Sequence, residues 1–156
     1  MSVEVGIMMG SKSDWPVMEE ASKILNDFGI SNEMKVLSAH RTPKETAEYA
    51  ENFRKNGGKV LICGAGLSAA LPGVVAAHTT LPVIGVPLDA ALNGMDALLA
   101  VVQMPPGVPV GGVAIGKPGA RNAALLAIRI MSLADSSLEG KLDDYRETQR
   151  KKILEA

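Results

Sequence analysis

An α/β fold, with a parallel sheet covered on both faces, is what this sequence predicts. Three observations carry the prediction. Strand-like apolar runs alternate with helical patterns from end to end. Gly and Pro stand at the junctions, where helices start and stop. No internal repeat, low-complexity stretch or linker interrupts the order, so residues 1–156 are expected to form one domain.

The first strand is read over Val3–Met9. The loop GSKSD follows, and WPVMEEASKILNDFG reads as a helix. Pro16 fits its first turn, Asp14 or Ser13 can cap it, and Gly29 can end it. Glu33–Ser38 is the second strand. TPKE then matches a capping box, with Thr42 as N-cap, Pro43 at the first helical position and Glu45 at the third. That helix runs to about Asn56, where Gly57 and Gly58 stop it. KVLICGAG is the third strand, LPGVVAAHTT a short helix, PVIGVPL the fourth strand and GMDALLAVVQ a helix. MPPGVP is a turn and VGGVAIG the fifth strand. RNAALLAIRIMSLAD is apolar on nearly every side and is expected to be buried, in part between subunits. The last helix, from about Ser136, carries Leu138, Leu142, Tyr145 and Ile153 on one stripe; its other faces are charged.

Composition narrows the function. A formal net charge of -1 gives no electrostatic case for nucleic acid. No segment reaches the ~18 unbroken apolar residues of a membrane span, and the N-terminus goes straight into a strand rather than a secretory signal. One cysteine, Cys63, cannot form an internal disulfide, which points to the cytoplasm. With only two histidines beside it, a structural zinc site is not expected. Aromatics make up 3% of residues and apolar residues 47%, so close-packing small aliphatic side chains dominate, as suits surfaces buried in a homo-oligomer.

In parallel α/β sheets, ligands sit outside the carboxyl ends of the strands. Three loops leave those ends: GSKSD, SAHRT and GAGLSAALPG. The first brings Ser11, Ser13, Asp14 and backbone N–H groups to a helix N-terminus, an anion site without Walker spacing. Asp14 can also bond sugar hydroxyls, although a plain helix cap explains Ser13 or Asp14 equally well. The second loop adds Arg41, suited to bidentate phosphate contact, and His40, able to exchange a proton near neutral pH. A lone loop histidine is most often idle. Here it stands between Ser38 and Arg41, where the first loop already implies an anion, which favours proton transfer.

The third loop fits G-x-G-x-x-A from Gly64, with Asp89 downstream as for a dinucleotide site. Pro72 and Gly73 come too soon for the long helix such a site opens. The better reading is a close, side-chain-free backbone approach to a small flat group. His78 reads as a partly buried structural histidine and Cys63 as a buried, inert thiol.

Taken together, MGSKSDWP, SAHRTP, GAG…ALPG, LPVIGVP and VQMPPGVPV occur in the order expected of the PurE family of purine biosynthesis, which the chain closely resembles over nearly its whole length. The resemblance implies a Rossmann-like, flavodoxin-like three-layer α/β/α subunit with an extra C-terminal helix, usually in an octamer, with sites between subunits and neither metal nor organic cofactor. It implies a mutase that moves a carboxylate from the exocyclic nitrogen to C4 of 5-(carboxyamino)imidazole ribonucleotide through trapped CO2. Carried over, Ser11 and Arg41 would hold the ribose phosphate, with Ser13 and Ser38 nearby, and Asp14 would bind the ribose. His40 would be general acid and base, and backbone from Gly66 through Ser68 and Ala69 to Leu71 would hold CO2.

The chain departs from the common mutase pattern in one place. GAGLSAALPG stands where GAGGAAHLPG is usual, so Ala70 replaces a second histidine. Ser68, Ala70 and Leu71 match the related class that carboxylates aminoimidazole ribonucleotide directly, while Arg41 and Pro72 match the mutase. The mutase is therefore the expectation, with the direct carboxylase and a non-catalytic nucleotide-binding module as alternatives.

Overall fold

The computed structural model describes residues 2–156. The strands are β1 (Val5–Met9), β2 (Asn32–Val36), β3 (Val60–Ala65), β4 (Val83–Pro87) and β5 (Gly111–Gly112). The helices are α1 (Trp15–Asp27), α2 (Pro43–Phe53), α3 (Leu71–His78), α4 (Met95–Val102), α5 (Lys117–Ser132) and α6 (Ser137–Leu154). Among the described residues, every strand pair is parallel, in the order β2-β1-β3-β4-β5. This is the flavodoxin-like order. β1, β3 and β4 are buried along their whole length, as central strands with both faces covered must be.

Strand periodicity divides the core in two. Val5, Ile7 and Met9 pack with α1, α5 and the start of α6 through Met18, Leu25, Ala124 and Leu138. Met8, Leu61 and Cys63 face the other way, onto Phe53 of α2, Val75 of α3 and Val101 of α4. α1 ends as the sequence predicts. Gly29 at φ 76 takes the left-handed position, Gly29 N–H bonds to Asn26 O at 2.9 Å and Ile30 N–H to Leu25 O at 2.9 Å.

The differences from expectation have local causes. β5 pairs only through Gly111 and Gly112, not over residues 110–116. Pro87 turns its carbonyl towards this edge, accepting from Gly116 N–H at 2.9 Å, but has no N–H to return a bond. α5 starts at Lys117 and is not apolar all round. Ala120, Ala123, Ala124, Ala127 and Ile128 are buried, while Arg121 and Arg129 are exposed. Arg121 Nε reaches Glu20 Oε2 of α1 at 2.7 Å. α2 stops at Phe53 as a regular helix and closes through a turn in which Gly58 N–H bonds to Phe53 O at 2.9 Å. On α6, Leu142 and Tyr145 pack against the core beside Leu138, but Ile153 is 77% exposed, outside the buried stripe.

Candidate active site

From β1 the chain passes to β2 on one side and, after α2, to β3 on the other. The strand order therefore reverses beside β1, and ligands of such sheets bind at that point. The loops after β1, β2 and β3 meet there around a cleft of about 520 Å³. Each residue expected from the sequence lines it: Ser11, Ser13, Asp14, Ser38, His40, Arg41, Gly66, Ser68, Ala69 and Leu71.

The first loop is braced from within. Ser11 is extended, at φ -149 and ψ 151, and its hydroxyl accepts from Ser13 N–H at 3.3 Å. Asp14 Oδ2 accepts from Ser11 N–H at 3.1 Å, completing a reciprocal capping box. Asp14 does take the N-cap position of α1, as the sequence allows, but makes no capping bond there; the side-chain cap falls on Ser11, at the 3-10 turn over Lys12–Asp14 that precedes the helix. Ser11 Oγ and Ser13 Oγ lie 2.9 Å apart at the mouth of the helix, where an anion is favoured. Burial pushes the Asp14 carboxyl above the usual carboxylate range, against the opposing pull of the Ser11 N–H and the Arg41 charge.

The second loop is tied to the first. Arg41 Nη2 donates to Gly10 O at 2.6 Å and Nε to Ser38 Oγ at 3.3 Å. Ser38 Oγ also accepts from Arg41 N–H at 3.2 Å. One edge of the guanidinium is thereby fixed by protein, and among the described residues Nη1 has no protein partner, which leaves it for a ligand oxygen. His40 is exposed on the rim between Ser38 and Arg41, and among the described residues its ring makes no hydrogen bond. It is free to turn towards a ligand.

The expected capping box on α2 does not form. Thr42 makes no side-chain bond to its helix. Its hydroxyl turns back instead, accepting from Ser38 N–H at 2.8 Å and donating to Ser38 O at 3.1 Å.

The third loop is strained. Leu67 at φ 54 and Ala69 at φ 33 take left-handed backbone without being glycine, at a cost of order 1–3 kcal/mol each. Ala69 N–H closes a turn on Gly66 O at 3.0 Å. A side chain at Gly66 would press on Ala90 from the loop after β4, so this glycine admits a neighbouring loop rather than a flat ligand. Ala70 is half-buried in the cleft wall. α3 is only eight residues long, and Asp89 is exposed outside the cleft lining, so the dinucleotide pattern is not realised.

Sequence reasoning missed several members of this wall. Gly10 contributes only a carbonyl, Ala90 arrives from the fourth strand's loop, and Leu67 stands 57% exposed in the cleft. Only Leu67, a large apolar residue among small ones, left a readable signal. Cys63 lies inside the core, where burial pushes its thiol up, as expected of an inert thiol. His78 is partly buried, as expected, with 38% of its side chain exposed. It ends α3 on the surface, with Nδ1 2.9 Å from Glu51 Oε1. It borders a second cavity of about 780 Å³ with Arg54 and Lys55. Arg54 and Lys55 follow the C-terminal end of α2, where they complement its dipole, which gives these cations a structural role.

The chain matches the AIR carboxylase family over residues 4–152. It is 56% identical over 153 residues to N5-carboxyaminoimidazole ribonucleotide mutase of Bacillus subtilis (strain 168), covering 97% of this chain and 94% of that protein. It is 55% identical over 149 residues to the protein of the same name from Pyrococcus abyssi (strain GE5 / Orsay), covering 95% and 84%. The crystal structure of Treponema denticola PurE superposes with a TM-score of 0.87 at 32% identity, covering 97% of this chain and 94% of that one. With the family match spanning almost every residue from β1 to α6, this chain belongs to the AIR carboxylase family, the PurE family of purine biosynthesis.

Proposed function

We propose that this protein is an N5-carboxyaminoimidazole ribonucleotide mutase. The observation that carries the reading is the junction of the first two loops. His40 is held beside a guanidinium that is already fixed along one edge. Arg41 and Ser11 grip the ribose phosphate, with Ser13 and Ser38 beside it, and Asp14 takes the ribose hydroxyls. The carbamate N–C bond breaks, its electron pair stays on the exocyclic nitrogen, and protonated His40 gives that nitrogen a proton. C4 then attacks the released CO2, held by backbone N–H groups between Gly66 and Leu71. The C4 proton returns to His40, so the reaction is an isomerisation with no net proton change. A phosphate-binding module without chemistry would have no use for a mobile imidazole there.

Direct carboxylation of aminoimidazole ribonucleotide is the second reading, favoured by Ser68, Ala70 and Leu71. Against it stand the relatives at 55% and 56% identity that bear the mutase name. Offering the two substrates separately tests the choice.

The working form is proposed to be a cytoplasmic homo-octamer. Met95, Leu99 and Val102 form an apolar stripe on α4, 48% to 51% exposed, and α6 carries exposed Ile153 and Leu154 at its end. Such faces suit burial against other copies. Among the described residues no helix is long and apolar enough to cross a membrane. Sedimentation showing only a 16.3 kDa species at micromolar concentration would contradict the oligomer.

A further inference from the structure

We propose that Thr42 is a positioning residue for His40 and Arg41, acting by locking the peptide of Ser38. The inference rests on the functional reading above, since it assigns Thr42 to that same site.

The geometry is a closed loop of five residues. Thr42 N–H donates to Ser38 O at 2.8 Å, and the Thr42 hydroxyl both accepts from Ser38 N–H at 2.8 Å and donates to Ser38 O at 3.1 Å. Ser38 is therefore held at both ends of its backbone by one side chain. Its own hydroxyl is then placed to accept from Arg41 N–H and Nε, at 3.2 and 3.3 Å. His40 lies inside this loop, so its position follows from the same closure.

A second threonine supports the first. Thr46 is fully buried, alone in this among the polar and charged residues described. Its hydroxyl donates to Thr42 O at 2.7 Å and lies 3.3 Å from Ser38 O. The bond to Thr42 O is the ordinary backward bond of a helical threonine. The approach to Ser38 O adds a further polar contact under the catalytic loop, where water does not reach to replace it.

The alternative role for Thr42 is the one its sequence suggests, capping α2. The two roles demand different chemistry. A cap needs only an acceptor, and Asp is among the best. Closing the loop needs a group that both accepts and donates, which a hydroxyl does and an ionised carboxylate does not. Thr42→Asp separates them, because the carboxylate would face the Ser38 carbonyl oxygen.

The test is steady-state kinetics with thermal melting on Thr42→Asp, Thr42→Val and Thr42→Ser, with hydrogen exchange over residues 38–41. Thr42→Asp should still fold, shown by a cooperative melt, yet lose kcat by about 10- to 100-fold, the scale set by misplaced catalytic groups, with KM raised through Arg41. Thr42→Val should show the same kinetic loss and faster exchange of the Ser38 amide. Thr42→Ser should recover most of both. Full turnover by Thr42→Asp, or unchanged exchange in Thr42→Val, would overturn the proposal and leave Thr42 a helix residue only. A parent protein that turns over neither imidazole nucleotide would instead defeat the functional reading, and the exchange measurement would still decide the role of Thr42.

Discussion

Arg41 Nη2 lies 2.6 Å from the carbonyl oxygen of Gly10, a residue 31 positions earlier in the chain. That bond joins the loop after β1 to the loop after β2. It holds a cation in the cleft that the hydroxyls of Ser11 and Ser13 also line, with His40 at the rim of the same cleft. In the proposed mechanism, phosphate grip and proton transfer would thereby be coupled through one side chain.

His40→Asn should keep the fold, because His40 is exposed and its ring makes no hydrogen bond among the described residues. Turnover should fall by about 10²–10⁴-fold, the usual loss for a general acid–base group. Calorimetry with aminoimidazole ribonucleotide should show binding little changed. Near-parental kcat in this variant would remove His40 from the mechanism.

Arg41→Ala and Ser11→Ala should raise KM more than they lower kcat. The phosphate does not react, so its contacts serve ground and transition states alike. A hydrogen bond to a charged group is worth about 1.5–3 kcal/mol, or roughly 10- to 100-fold in affinity. The Arg41 variant should sit at the upper end, since it also releases Gly10 and Ser38. Unchanged affinity in both variants would put the phosphate elsewhere.

Asp14→Asn should bind nucleotide less well yet be no less stable at neutral pH. Burial raises the Asp14 carboxyl in the folded state. The folded protein thus takes up its proton more readily than the unfolded chain. This group's stabilising contribution is full below the unfolded value of 3.8 and is lost as pH rises through the higher folded value. At pH 7 the ionised carboxyl is a cost, and an amide removes it while its oxygen still accepts from Ser11 N–H. Melting at pH 7 and near pH 3 checks the sign: the variant should gain on the parent at pH 7 and lose that advantage in acid. A variant markedly less stable at pH 7 would mean that the Ser11 contact outweighs burial.

The three cleft loops were legible because each follows a strand of a parallel sheet, two of them buried apolar runs and one, β2, a half-exposed edge strand, and parallel sheets bring such loops to one side. Ser11, Asp14, His40 and Arg41 could be singled out on chemistry alone. The hydroxyl of Thr42 could not be placed that way. Its sequence context suits a cap, and only the path of the chain from Ser38 shows that a nearer peptide takes the hydroxyl first. Leu67 and Ala69 gave no sign of left-handed backbone, since neither residue type favours it. β5 was overread because the missing N–H of Pro87 lies on the neighbouring strand, outside any local window. Ile153 repeats the periodicity of Leu138 but lies beyond the reach of the subunit's own core.

The most direct test of the central claim gives the purified protein one substrate at a time and follows formation of the C4-carboxylated nucleotide. The account predicts conversion of N5-carboxyaminoimidazole ribonucleotide without ATP, added metal or bicarbonate, because His40 supplies the proton and the loop from Gly66 to Leu71 retains the CO2. Turnover of aminoimidazole ribonucleotide with CO2, while the carboxyamino compound is left untouched, would contradict it and make Ala70 the mark of a direct carboxylase.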